Sequence, residues 1–355
     1  MLFIVCYGDN MNTWANGNVK MLRPLKPGDE PPPGARVWIP TLGEMLQMPP
    51  EELFRLDIGF RNLLCATGLP DTQDLDIHAC LAKLHEWVQH IRRETERNLH
   101  RFRENPAEYQ NSEAYWRVGM MITVLQQDLG VRHDPDCINT EEFKSSGEGF
   151  IHGILNGEGG TCANLPVLYA AVGRKLGYPI YLCCAKKHLF NRWASSDGRE
   201  RFNIEGSGRG FGVYDDSHYM GWPAKISPEE VHLGFYLRNL DPAEEVSDFM
   251  QTRGHCLRDR DLILDAIVAY AHAHRLGPFL PTAFYSMMEA INHELRIHAE
   301  GKAPNSYRQW EGWDEIPRLT RKALRDDFER VDRTRPVFRP NQVIVTPGFL
   351  EGERR

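Results

Sequence analysis

Apolar positions recur at three- and four-residue spacing through most of the first half of the chain. They change to short continuous runs of β-branched and aromatic residues only between 180 and 204. Pro49-Pro50-Glu51-Glu52 opens a predicted helix carrying Leu53, Leu56, Ile58, Phe60, Leu63 and Leu64 up to Gly68-Leu69-Pro70. A second helix is predicted from near Asp76, with Leu81, Leu84, Trp87, Val88 and Ile91 on one face and a charged, solvated continuation from Arg92 to Arg103. A third spans about Ser112 to Leu129. A connector with one short helix follows, and then a helix from about Cys162 to Leu176 that stops at Gly177, with Pro179 beyond. Strands are predicted at Ile180–Ala185, Lys187–Trp193 and Arg201–Ile204, the last two joined by a hairpin turn at Ala194-Ser195-Ser196-Asp197-Gly198. Ser227-Pro228-Glu229-Glu230 is a capping-box signature that restarts helical structure to about 276.

This pattern predicts an α+β protein in which a Cys-bearing helix packs on a small antiparallel sheet flanked by helical regions. The divisions are an irregular proline-rich segment at 1–45, a helical region at 46–150, a core at 151–226, a helical unit at 227–300 and a charged tail at 301–355. A helix at about 315–331 and a strand near Val343–Val345 are expected in the tail.

Bulk properties narrow the function classes. Hydrophobic content of 41% and charged content of 26% over 355 residues are ordinary for a globular protein. A net charge of −7 supplies no general attraction for nucleic acid or an anionic membrane, so neither is an expected partner. The apolar run at Met1–Cys6 is too short for a signal sequence, and no stretch reaches the roughly 20 apolar residues of a membrane span. The 8 cysteines are scattered, which predicts reduced thiols and a cytoplasmic location, with Cys183 and Cys184 packed in a strand rather than bridged. His133 and Cys137 form at most half a metal site, so no metal or cofactor is expected. The alternating glycines Gly206, Gly208, Gly210 and Gly212 lack the Lys-Ser/Thr of a phosphate loop and are expected to be a flexible loop beside the site.

The chemistry-bearing feature is an ordered trio. Cys162 is placed at the tip of the predicted helix, where unpaired N–H groups and the helix dipole favour a thiolate. His188 lies on the second strand and Glu205 at the end of the third. In that order they can serve as nucleophile, general base and orienter. Asn203 is a rival orienter on the same strand face. The Cys162 backbone N–H is a candidate oxyanion donor. Gly160 and Thr161 let a substrate approach closely. With Asn164 and Trp193 they are the expected substrate cleft, and Trp222 and Tyr214 are further candidates for its wall. The plain alternative is a small buried hydrophobe at Cys162 and a structural histidine at His188.

The segment Gly160-Thr161-Cys162-Ala163-Asn164-Leu165-Pro166-Val167-Leu168-Tyr169, followed by Arg174-Lys175-Leu176-Gly177-Tyr178-Pro179, resembles the transglutaminase-like superfamily. It is closest to a bacterial branch with Gly-Thr-Cys-x-x-Leu-Pro-x-Leu-Tyr and Arg-x-Leu-Gly-x-Pro. His188-Leu189-Phe190-Asn191-Arg192 and Phe202-Asn203-Ile204-Glu205-Gly206 match that branch's next two strands. Glu205 stands where the family usually has aspartate. The resemblance implies a papain-like fold and thiol acyl transfer on an amide or peptide bond, by a peptidase, amidase or transamidase using Cys162, His188 and Glu205. Many members of that branch lack the cysteine. The second reading is therefore a non-catalytic interaction protein that binds a partner through its helical tail. Gly254, Leu257, Ala266, Tyr270, Ala273 and Pro278 have the spacing of one tetratricopeptide-type helix pair over 245–279. A solenoid needs about three such units, so this one is expected to dock on the core, with partner binding as its alternative use.

Overall fold

The computed structural model describes residues 5–6, 36–37, 40–137 and 142–278, and scattered positions from 280 to 291. The helix and strand expected in the 301–355 tail lie outside the described residues. In chain order the elements are β1 (Val5–Cys6), β2 (Arg36–Val37), α1 (Leu42–Leu46), α2 (Pro50–Leu53), α3 (Ile58–Ala66), α4 (Ile77–Glu104), α5 (Glu113–Gln127) and α6 (Ile151–Leu155). They continue with α7 (Leu165–Lys175), β3 (Ile180–Ala185), β4 (His188–Ala194), β5 (Arg201–Ile204), α8 (Asp216–Gly221), α9 (Pro228–His232), α10 (Pro242–Arg258) and α11 (Ile263–Leu276). The class is α+β, with a three-stranded antiparallel sheet in the order β3-β4-β5. Among the described residues no helix is long and apolar enough to cross a membrane.

Local chemistry sets most helix starts. Asp76 accepts from Ala79 N, Ser112 from Tyr115 N and Ser227 from Glu230 N, each at the predicted helix entrance. The helix expected from Pro49 to Gly68 is instead two. It breaks after Leu53, and Asp57 restarts it by accepting from Phe60 N. Both halves bury apolar side chains in one core, so the hydrophobic period runs on across the break.

α7 lies on one face of the sheet. Asn191 Nδ2 on β4 donates to Pro166 O in the first turn of α7 at 2.9 Å. Ile180 at the start of β3 packs so closely on Gly173 that a Cβ there would sit 2.4 Å from it. The helix therefore runs along the strands with its N-terminal end towards β4. The opposite face carries a smaller cluster of Cys183, Phe190, Tyr219, Ile226, Tyr236 and Leu237. Cys183 and Cys184 are free thiols.

α10 and α11 form a close pair. Gly254 faces the Tyr270 ring, where a Cβ would come within 2.3 Å. The pair docks on α3 through a buried ion triad. Glu245 accepts from Arg61 Nη2 at 2.7 Å and Arg174 Nη2 at 2.5 Å, and Arg253 donates to the carbonyls of Cys65 and Thr67.

Candidate active site

The register of β4 against β5 decides which side chains meet. Arg192 pairs with Asn203 and Asn191 with Ile204. Continued by one residue, it sets Glu205 opposite Phe190 and diagonal to His188 on the same face. His188 follows the two-residue turn Lys186-Lys187, in which Lys187 takes a φ of 67°. It therefore sits at the end of the sheet nearest the start of α7.

There the imidazole is held from two sides. His188 Nε2 lies 2.7 Å from Glu205 Oε2, and the Cys162 thiol is the second group acting on the same ring. Glu205 is saturated. Its Oε2 also accepts from Tyr219 OH at 3.2 Å, and its Oε1 accepts from Ser207 N at 3.2 Å and from Ser207 Oγ. Burial alone would depress the basicity of His188, but its bonds to Cys162 and Glu205 prevail and push its pKa up to about 9. Burial would likewise raise Glu205. The bond to His188, that ring's charge and the Ser207 donors outweigh it and hold the carboxyl below its ordinary value.

Cys162 is half-buried and stands in a turn just ahead of α7, rather than opening the helix as the sequence pattern suggests. Asn164 causes the difference. Its Oδ1 accepts from Thr161 N at 2.7 Å, and its Nδ2 donates to the carbonyls of Gly147 and Phe150. Those bonds fold residues 161–164 into a turn, and regular helix begins at Leu165.

Several expected cleft residues are corrected by their surroundings. Asn164 is fully buried and spent on that turn. Thr161 is buried and donates to Glu148 O. Gly160 is bridged to His133, and a Cβ on it would meet Leu165 at 2.5 Å. These small residues admit the chain's own packing rather than a substrate. Trp193 is on the other face of β4 from His188, stacked on Phe202; an odd separation along a strand already implies this. Asn203 is no orienter of His188. Its Oδ1 accepts from Arg192 Nε at 2.7 Å, and its Nδ2 donates to Tyr214 O and Asp216 Oδ1.

The ring beside His188 is Trp222, edge-on with centroids 4.7 Å apart. Tyr219 stacks on Phe190 at 3.9 Å and closes the buried side of the pair. Tyr219 and Ser207 were not singled out from sequence. Ser207, two residues after a carboxylate, follows a local turn pattern that could have been read. Tyr219 depends on α8 folding over the sheet and has no such local signal. The glycine loop is beside the site but is latched. Gln126 on α5 donates to Gly208 O and Gly210 O and accepts from Gly210 N. Tyr169 OH donates to Gly206 O at 2.8 Å, with its ring where a Cβ on Gly206 would be.

No protein-family model, curated protein or solved structure matches this chain. The functional reading therefore rests on the site's own geometry and chemistry.

Proposed function

We propose that this chain is a cysteine enzyme of the transglutaminase-like, papain-type class, transferring an acyl group from an amide or peptide bond through Cys162, His188 and Glu205. The observation that carries the reading is a single imidazole held by a saturated carboxylate and raised in basicity by a neighbouring thiol. A structural histidine has no need of a half-exposed thiol as its second partner.

The Cys162 sulfur attacks the carbonyl carbon as a thiolate, its proton held on His188. Negative charge moves to the carbonyl oxygen, for which the Cys162 backbone N–H is a candidate donor. As the C–N bond breaks, His188 gives its proton to the leaving nitrogen, and the acyl group stays on sulfur as a thioester. Water or an amine then attacks the thioester, losing a proton to His188. The C–S bond breaks and the thiol is restored. Glu205 keeps the imidazole oriented and stabilises its cationic form throughout.

p-Nitrophenyl acetate tests the reading without a known substrate. The expected result is a burst of p-nitrophenolate with one acetyl group on Cys162 by peptide mass spectrometry. The burst is absent in Cys162→Ala and slowed on the order of 10²–10⁴-fold in His188→Ala. A wild-type chain that acetylates Cys162 no faster than Cys137 would overturn it and leave the non-catalytic interaction protein as the better reading.

A further inference from the structure

Tyr214, His218 and Trp222 are four residues apart and form one stripe across α8 and its flanks. Tyr214 stacks on His218 at 4.4 Å, His218 lies 5.5 Å from Trp222, and Trp222 reaches His188. Tyr214 and Trp222 are 44% and 43% exposed, so the strip offers ring surface to solvent up to the edge of the catalytic pair.

The strip is held rigid from beneath. Asn203 holds Tyr214 through its carbonyl. Asp216, in the first turn of α8, is fixed by Arg192 at 2.6 Å and Arg201 at 2.7 Å. Gly212 leaves room for the Tyr214 ring, which a Cβ would meet at 2.6 Å. A preorganised aromatic surface loses little freedom when something stacks on it. Its own groups are a phenol, an imidazole and an indole, which suit an uncharged flat or apolar partner.

Mechanism gives the strip a side. His188 must reach the leaving nitrogen to protonate it and the incoming nucleophile to deprotonate it. A surface ending on His188 therefore borders the amine side of the reacting bond. We propose that Tyr214, His218 and Trp222 form the subsite for an aromatic or bulky apolar side chain on the amine component, both the leaving amine of an amide substrate and the amine that captures the acyl-enzyme. This rests on Cys162 being the acyl-accepting nucleophile.

The test is competition for acetyl-Cys162 formed from p-nitrophenyl acetate. Phenylalaninamide, glycinamide and aspartamide are offered in turn, and N-acetylated amine is measured against acetate. As each amine forms its C–N bond, its proton passes through His188 to the departing sulfur. Phenylalaninamide is expected to capture the acyl group about tenfold better than glycinamide. That ratio should fall to about twofold in Trp222→Ala and largely recover in Trp222→Phe. Using the ratio within each variant removes any change in thiol reactivity. Equal capture of the three amines by wild type, or a preference untouched by both Trp222→Ala and Tyr214→Ala, would overturn the subsite. If no acetyl-Cys162 forms, the catalytic reading has failed instead. The strip is then judged by saturation-transfer NMR of phenylalaninamide against glycinamide on Cys162→Ser, with and without Trp222→Ala. Equal transfer to both amines would overturn the subsite there as well.

Discussion

Two buried charge clusters share strands β4 and β5, only four residues apart along β4. At one, Arg192 is closed in by Asn203, Asp216 and the Leu237 carbonyl, and every strong donor has an acceptor from the chain itself. At the other, His188 has Glu205 on one nitrogen and a thiol, half open to solvent, as its remaining partner. Both are buried, and both hold a lowered carboxyl. Perturbed protonation therefore does not distinguish a structural cluster from a reactive one. The difference is a polar group whose remaining partner is a nucleophile part-open to solvent.

The sharpest way to break that comparison is to exchange the fates of the two orienter candidates. Glu205→Ala should cut acetylation of Cys162 by on the order of 10²–10³-fold, because the imidazole loses its fixed orientation and its counter-charge. Asn203→Ala should leave the acetylation rate within about threefold and instead lower stability, since Arg192 and Asp216 lose a shared partner. Burst kinetics and urea unfolding on both variants measure the two effects.

Next in size is a purely structural ion cluster. Glu245→Ala leaves Arg61 buried without its counter-charge and should cost about 3–5 kcal/mol. Urea unfolding reads that loss, and Cys162 reactivity measured well below the transition should be unaffected. Gly254→Ala forces a methyl against the Tyr270 ring and should cost about 1–3 kcal/mol, visible as a lowered Tm.

A further effect is in pH. His188 is raised from 6.5 to about 9 in the folded chain, so its stabilisation is complete below about 6.5 and lost as pH rises through 9. Glu205 is lowered from 4.5, so its stabilisation is complete above 4.5 and lost as pH falls through its folded value. Wild type should therefore gain most over His188→Asn between about pH 4.5 and 6.5, and the gap should narrow towards pH 9. Unfolding of both proteins at pH 6 and pH 9.5 checks the sign.

What the sequence carried well was local. Asp76, Ser112 and Ser227 cap helices by bonds within three residues, and the strand limits at Ile180–Ala185 and Arg201–Ile204 follow from runs bounded by turn residues. Cys162, His188 and Glu205 were legible because their order and elements bring them to one end of a small sheet. What was missed depends on partners distant in sequence. Asn203 has the right face for an orienter, and only the register with Arg192 assigns it elsewhere. Asn164 is taken by carbonyls at 147 and 150, which moves the helix start past Cys162. Tyr214 and Trp222 were legible as wall candidates, but their alignment with His218 in one strip depends on Asp216 being anchored to the distant Arg192 and Arg201.

The central claim is that His188, itself oriented by Glu205, activates Cys162. Its most direct test is the rate of Cys162 alkylation by iodoacetamide, followed by peptide mass spectrometry from pH 5 to 10 in wild type and His188→Ala. The account predicts labelling of Cys162 well ahead of Cys137 in wild type at neutral pH, and loss of that lead in His188→Ala. Equal labelling of the two cysteines in wild type, or a lead that survives His188→Ala, would contradict it.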